Sequence, residues 1–265
     1  MEQMKYWRKQ TGKPLFDEID MGRPERKQLT GKLLVIGGSK MSFFVVASAV
    51  SKALEVGIGE VKALLPDGLK SKVPASPDTI FAPSETSGGF GKDAVRFAVA
   101  AAEDADFVLM IGDMGKNSET ATFAERFMAE SGKSVLITRD AVDLLATSGG
   151  DWLERDNVTL CAALPQLQKI FRTVYYPKMI ALSMPTNQLV ETLHKFTITY
   201  PVSVVTYHNG QIVVAKGGGV VTTEVKDTKY TPISLWSGEL AVKMAALELW
   251  NPARSFESQV TAILM

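Results

Sequence analysis

From Lys32 onward, apolar positions come in short blocks separated by glycine and polar turns. Leu33-Leu34-Val35-Ile36 is a four-residue apolar run closed by Gly37-Gly38, the form taken by a strand buried on both faces. Phe43 to Val56 carries small and apolar residues with no breaker, which predicts a buried helix ended by Gly57 as a C-cap. Val61 to Leu65 reads as the next strand, closed by the turn Pro66-Asp67-Gly68. The rhythm then repeats, with helices over 94–102, 118–130 and 141–146 and strands over 107–111, 135–137 and 158–161. Strands that alternate with helices predict a mostly parallel sheet covered on both faces.

The last third of the chain has a different pattern. Val202 to Thr206 and Ile212 to Ala215 are β-rich runs on either side of His208-Asn209-Gly210, a strong hairpin signal. Gly217-Gly218-Gly219 leads into a third strand from Val220 to Val225, and helices near 238–249 and 256–263 complete the chain. Because that glycine run opens a strand and not a helix, it is a turn and not a phosphate cradle. Residues 1–30 are polar and contain Pro14, Pro24 and the basic residues Arg23, Arg26 and Lys27. They read as a surface arm packed on a single domain spanning residues 31–265, since no linker or repeat divides the rest.

Composition narrows the function classes. Of 265 residues, 46% are hydrophobic and 22% charged, and 29 basic residues balance 29 acidic ones. That balance leaves no bulk electrostatic footprint for nucleic acid or for anionic lipid. The longest apolar runs are too short to span a bilayer, and the charged N-terminus lacks the apolar stretch of a secretory signal. The single cysteine, Cys161, excludes an intrachain disulfide and suits a reducing compartment, so a cytoplasmic location is expected. His194 and His208 have no metal-ligand spacing, and with one cysteine no metal site is expected. His194 reads as a surface residue of an amphipathic helix. No G-x-S-x-G elbow is present to suggest a serine hydrolase.

In open parallel sheets, ligands sit beyond the carboxyl ends of the strands. Four such ends carry glycine- or acid-containing loops: Gly37-Gly38-Ser39, Gly112-Asp113-Met114-Gly115, Thr138-Arg139-Asp140 and Ser237-Gly238-Glu239. Each can place main-chain N–H groups at a helix start, where anions are favoured. Lys116 is placed to face a nucleotide phosphate and Asp113 to face phosphate or Mg2+. Plain turn and capping roles are the structural alternative for both, as they are for Asp140 and Glu239.

The order and spacing of these loops resemble the ribokinase-like ADP/ATP-dependent NAD(P)H-hydrate dehydratases. Gly38-Ser39 leads into a helix ending Ala53-Leu54-Glu55-Val56-Gly57-Ile58-Gly59, similar to that family's A-L-x-x-G-x-G. The stretch from Phe107 to Gly115 resembles its strand with a G-x-G-x-G loop. Asp140-Ala141-Val142-Asp143-Leu144-Leu145 resembles its D-A-D-A-L-N-L-L, and Ser237-Gly238-Glu239 falls where the family has G-T-G-D.

The resemblance implies a three-layer α/β/α ribokinase-like fold, with a mostly parallel central sheet and an antiparallel C-terminal edge. It implies phosphorylation of the hydroxyl of NAD(P)H hydrate by ATP or ADP with Mg2+, followed by phosphate elimination. In these terms Glu239 is the base and Ser237 and Gly238 supply the anion hole, with phosphoryl transfer resting on positioning and electrostatics. Asp140, Gly112, Gly115 and Ser39 are placed at the substrate, and Tyr207, His208 and Trp236 at the nucleotide. A small-molecule nucleotide is the expected partner. A homo-oligomer is expected too, with Ala262-Ile263-Leu264-Met265 as a candidate interface.

The departures from the family pattern fall on the chemistry. Glu239 replaces an aspartate, Trp236 the first loop glycine, Phe44 and Val45 a Gly-Ala pair, and Thr138 the first aspartate of D-A-D. Ala163-Leu164-Pro165-Gln166 stands for H-P-G-E, and Tyr207-His208 for a K-G pair. Two alternatives therefore accompany the dehydratase: a catalytically degenerate relative that binds a nucleotide or a protein, and a small-molecule kinase on the same fold.

Overall fold

The computed structural model describes residues 5–225 and 237–265. Among them, ten strands form one sheet: β1 (Trp7–Gln10), β2 (Lys32–Gly37), β3 (Glu60–Pro66), β4 (Thr79–Ala82), β5 (Phe107–Gly112), β6 (Ser134–Thr138), β7 (Val158–Cys161), β8 (Ser203–His208), β9 (Gln211–Lys216) and β10 (Gly219–Glu224). Their spatial order is β1-β10-β9-β8-β7-β6-β5-β2-β3-β4. Pairing is parallel from β4 across to β8, with Val35 beside Ala63 on one side and Leu109 on the other. β9 runs antiparallel to both of its neighbours.

The helices are α1 (Phe44–Val56), α2 (Val95–Glu103), α3 (Ser118–Glu130), α4 (Asp140–Leu145), α5 (Leu164–Thr173), α6 (Thr186–Thr199), α7 (Glu239–Trp250) and α8 (Ser255–Ala262). The alternation of side chains along a strand sends Leu34, Ile36, Val108 and Met110 into a core beneath α2 to α6. Leu33, Val35, Leu109 and Ile111 enter a second core beneath α1, α7 and α8. The result is a three-layer α/β/α architecture with an antiparallel edge. Among the described residues, no helix is long and apolar enough to cross a membrane.

The hairpin forms where the sequence placed it, with Asn209 at φ 47° and Gly210 at φ 75° supplying the two left-handed residues of a primed turn. Gly57 caps α1 at φ 111°, its N–H donating to the carbonyl of Ala53. Other expectations are corrected. α1 is only half-buried: Val45, Val46, Ala49 and Ala53 face the core, while Phe44 is 78% exposed. The short edge strand β4 and helices α5 and α6 complete the parallel part. His194 is no plain surface residue, for its ring stacks on Tyr6 with centroids 3.6 Å apart and Nδ1 meets the carbonyl of Gly218. Ala262 and Ile263 are buried within the fold's own core.

The N-terminal arm is more than a surface coat, because residues 7–10 extend the sheet alongside β10. Polar side chains hold this strand in place. Trp7 Nε1 donates to Thr222 Oγ1 at 3.0 Å. Gln10, fully buried, donates from Nε2 to Val260 O at 2.8 Å and to Thr223 Oγ1 at 3.2 Å, while its Oε1 accepts from the Leu15 N–H at 3.0 Å. Gln10→Ala strands these partners away from water and is expected to lower unfolding free energy by about 1–3 kcal/mol. Urea denaturation should show this as a lower midpoint with an unchanged slope.

Candidate functional site

The carboxyl ends of β2, β5 and β6 meet at one pole of the sheet, joined by main-chain and side-chain contacts. Gly38, at φ 85°, donates its N–H to the Gly112 carbonyl at 2.8 Å. Gly37 lies so close to that carbonyl that a Cβ would sit 2.5 Å from it, so side chains are excluded at this crossing. Ser39 is buried in the following turn, its N–H bonded to the Ser42 carbonyl at 2.7 Å.

Asp140, the first residue of α4, turns its carboxylate into the loop after β5. Oδ1 accepts from the Asp113 N–H at 2.7 Å, and Oδ2 from the Met114 and Gly115 N–H groups at 3.0 and 3.3 Å. The main-chain donors that the sequence suggested for a ligand are therefore engaged by a carboxylate of the chain itself. Burial pushes the Asp140 carboxyl above its usual range, and these N–H groups pull the other way. Gly112, at φ 97°, fits the same arrangement, since a Cβ there would lie 2.2 Å from Asp140 Oδ1.

A second set of contacts links Asp113 with Arg139 and Ser42, a pairing that the sequence, which named Asp113 and Arg139 only as members of separate loops, did not give. Arg139 Nη2 pairs with Asp113 Oδ1 at 2.9 Å, and Ser42 Oγ donates to Asp113 Oδ2 at 2.8 Å. Arg139 itself has φ 58° and ψ −139°, a conformation that costs a non-glycine residue on the order of 1–3 kcal/mol. Gln166 braces it, donating from Nε2 to the Arg139 carbonyl at 2.7 Å and to Asp143 Oδ2 at 2.9 Å.

The fourth loop joins the same pole from the other core. Gly238 opens α7 at φ 85°, and a Cβ there would meet Ile111 Cδ1 at 2.6 Å, so the start of α7 lies against the end of β5. Exposed Ser237 accepts the Glu239 N–H on Oγ at 3.4 Å. Glu239 is half-buried; its Oε1 pairs with Lys243 Nζ at 3.0 Å and lies 3.9 Å from Lys52 Nζ of α1. Lys243 is itself buried and donates to the Met265 main-chain oxygen at 3.0 Å. Glu239 therefore neutralises a buried ammonium group as well as standing at a helix start.

The nucleotide-side residues Tyr207 and His208 do not share a face of the sheet. Tyr207 and His208 end β8, three strands from β5, or roughly 14 Å at strand spacing. Strand alternation sends them to opposite faces. Tyr207 packs on the α7 side, whereas His208 is buried on the α6 side with Nε2 at 2.7 Å from the Met184 carbonyl. Trp236 lies outside the described residues. Lys116 is exposed on the loop before α3. Among the described residues, no three His, Cys, Asp or Glu side chains gather as metal ligands.

No protein-family model matches the chain. Among solved structures, a ribokinase-like superfamily protein of Enterococcus faecalis aligns over 100% of this chain and 88% of its own, with TM-score 0.72 and 12% identity. An ADP/ATP-dependent NAD(P)H-hydrate dehydratase of Bacillus subtilis, co-crystallised with ATP and Mg2+, aligns over 94% of this chain and 86% of its own, with TM-score 0.61 and 12% identity. A pyridoxal kinase of Bacillus subtilis in complex with ADP aligns over 88% of each chain, with TM-score 0.54 and 15% identity. The fold is ribokinase-like. At these identities the likeness concerns architecture, and the reaction has to be argued from the site.

Asp140→Asn turns an amide NH2 or a single carbonyl oxygen toward three N–H donors. It is expected to cost about 1–3 kcal/mol in thermal or urea unfolding. Asp143→Asn, on the same helix and with a half-exposed side chain, is expected to cost less than half as much.

Proposed function

We propose that the chain binds ATP or ADP at the carboxyl pole of its sheet and acts on the hydroxyl of a hydrated nicotinamide dinucleotide in the manner of an NAD(P)H-hydrate dehydratase. The observation that carries this reading is the start of α7. A left-handed glycine there brings the helix against the end of β5 with a carboxylate at its first position. The first-turn amides of a helix favour phosphate. Lys52 and Lys243, both within 4 Å of Glu239, add positive charge at the same point. Ser237 and Gly238 would hold the transferring phosphoryl group, and Glu239 would orient the substrate hydroxyl and take its proton. With no group of three His, Cys, Asp or Glu side chains placed to hold a metal among the described residues, Mg2+ would travel on the phosphates of the nucleotide.

A second reading, a nucleotide binder without catalysis, is favoured by two further observations. The Asp140 carboxylate is turned inward onto the 113–115 amides, and that of Glu239 is committed to Lys243.

One pair of experiments separates the readings. Saturating ADP or ATP with Mg2+ is expected to raise the melting temperature by on the order of 5–8 °C at 100 times Kd. Under the dehydratase reading, incubation with hydrated NADH restores the absorbance of the reduced cofactor, and Glu239→Gln lowers that rate by about 10²- to 10⁴-fold with nucleotide binding intact. A melting shift without turnover selects the binder. Neither response overturns both readings.

A further inference from the structure

The opposite pole of the molecule holds a cleft that no part of the functional reading uses. It lies at the amino-terminal ends of β5, β6 and β7, between the end of α7 and the start of α8, and has a volume of about 770 Å³. All of its lining residues are among those described. Its wall combines apolar surface from Leu249, Pro252 and Phe256 with a surplus of acid: Asp106, Asp156, Glu248 and Glu257, four carboxylates, against Lys133 and Lys216, two ammonium groups.

Glu248 forms the deepest part of this charge pattern. Its residue is 94% buried, at 6% exposure, on the last turn of α7. Oε1 accepts from Gln259 Nε2 at 3.1 Å and from Thr159 Oγ1 at 3.4 Å. No hydrogen bond from the described residues reaches Oε2, although Glu248 lines the cleft. An acid so placed lacks the cation that a buried carboxylate ordinarily needs. Neither lysine forms an ion pair with it, and Lys216 acts only as a charge nearby. Lys133 Nζ donates to the carbonyls of Glu103 and Ala105 at 3.1 and 2.7 Å, and Lys216 Nζ to the Asp156 carbonyl at 3.0 Å and to Ser255 Oγ. On the rim, Glu257 is shared with Arg254 Nε at 3.6 Å and Asp106 Oδ2 accepts the Lys32 N–H at 2.9 Å, whereas the Asp156 side chain is exposed.

We propose that this cleft is a second binding site, for a small aliphatic polyamine, in which Glu248 takes one ammonium group, Asp156 takes another, and the apolar wall covers the methylene chain between them. The site is independent of the carboxyl-pole reading, and it uses none of the same residues. Burial pushes the Glu248 carboxyl up to about 7, against the opposing pull of Gln259, Lys216 and Thr159. An ammonium ligand binds the ionised form, so affinity rises as pH rises through that value, and binding at lower pH releases a proton. Lys216 favours the ionised form of Glu248; the other charged groups facing the cleft are Lys133, Asp106, Asp156 and Glu257.

Spermidine is the probe. In about 0.15 M salt, where diffuse surface attraction is largely screened, it is expected to raise the melting temperature in a saturable manner at pH 8 and to bind at least about 10-fold more weakly at pH 6. Glu248→Gln, which keeps the shape of the side chain, and Asp156→Asn on the exposed rim are each expected to weaken binding by about 10-fold or more. The second variant serves if the first does not fold. The proposal is overturned if spermidine produces no saturable shift in the wild-type chain, if both folded variants respond as the wild type does, or if Mg2+ at equal ionic strength gives the same shift. Loss of nucleotide binding or turnover at the other pole leaves this result unaffected, so the two proposals fail separately.

Discussion

The carboxylate of Asp140 holds together the pole of the sheet on which any chemistry at the strand ends depends. Burial by itself would favour its neutral form, and three main-chain N–H groups of the loop after β5 oppose that by donating to the ionised carboxylate. The carboxylate closes the loop at Gly112, where only a residue without Cβ leaves room for it. Asp113 is then presented to Arg139 and Ser42, which links the ends of β5 and β6 to the turn after β2. The strained Arg139 backbone is tolerated because both of its flanks are over-determined, by Asp140 on one side and by Gln166 on its own carbonyl. A rigid platform follows, against which α7 is set.

α7 connects the two poles. It is buried along most of its length, yet carries charged groups near both ends: Glu239 with Lys243 at the carboxyl pole and Glu248 at the amino pole. At the first end, the carboxylate has a cation beside it and the helix start contributes partial positive charge. At the second, the carboxylate meets the negative end of the helix, Thr159 and Gln259, with Lys216 contributing only as a charge nearby. One helix therefore presents a compensated acid at the strand ends and an under-compensated one at the opposite cleft.

Much of the fold was legible in the chain because its physics is local. Apolar runs of three to five residues, the first and third of them closed directly by glycine, announced the central strands, and Asn209-Gly210 announced the hairpin. Regions whose order depends on distant partners were not legible. β1 reads as a charged tetrapeptide and becomes a strand only because Gln10 and Trp7 find Thr222, Thr223 and Val260 across more than 200 residues. β4 is short and lies at the edge, so its apolar content is too slight to stand out.

The candidate site divides in the same way. The sequence by itself determined that glycines and acids cluster after β2, β5 and β6 and before α7, because tight turns and helix starts demand those residue types. Only the tertiary structure decided what the acids face. It turned Asp140 inward onto main-chain amides, joined Glu239 to a buried lysine, and placed Tyr207 and His208 on opposite faces of the sheet by the two-residue period of a strand. It also brought Glu248, one residue within an unremarkable helical stretch, to the wall of a cleft built from segments more than 100 residues apart. Turn and helix chemistry is written in neighbours along the chain, whereas the partner of a buried charge is set by what the folded chain packs against it.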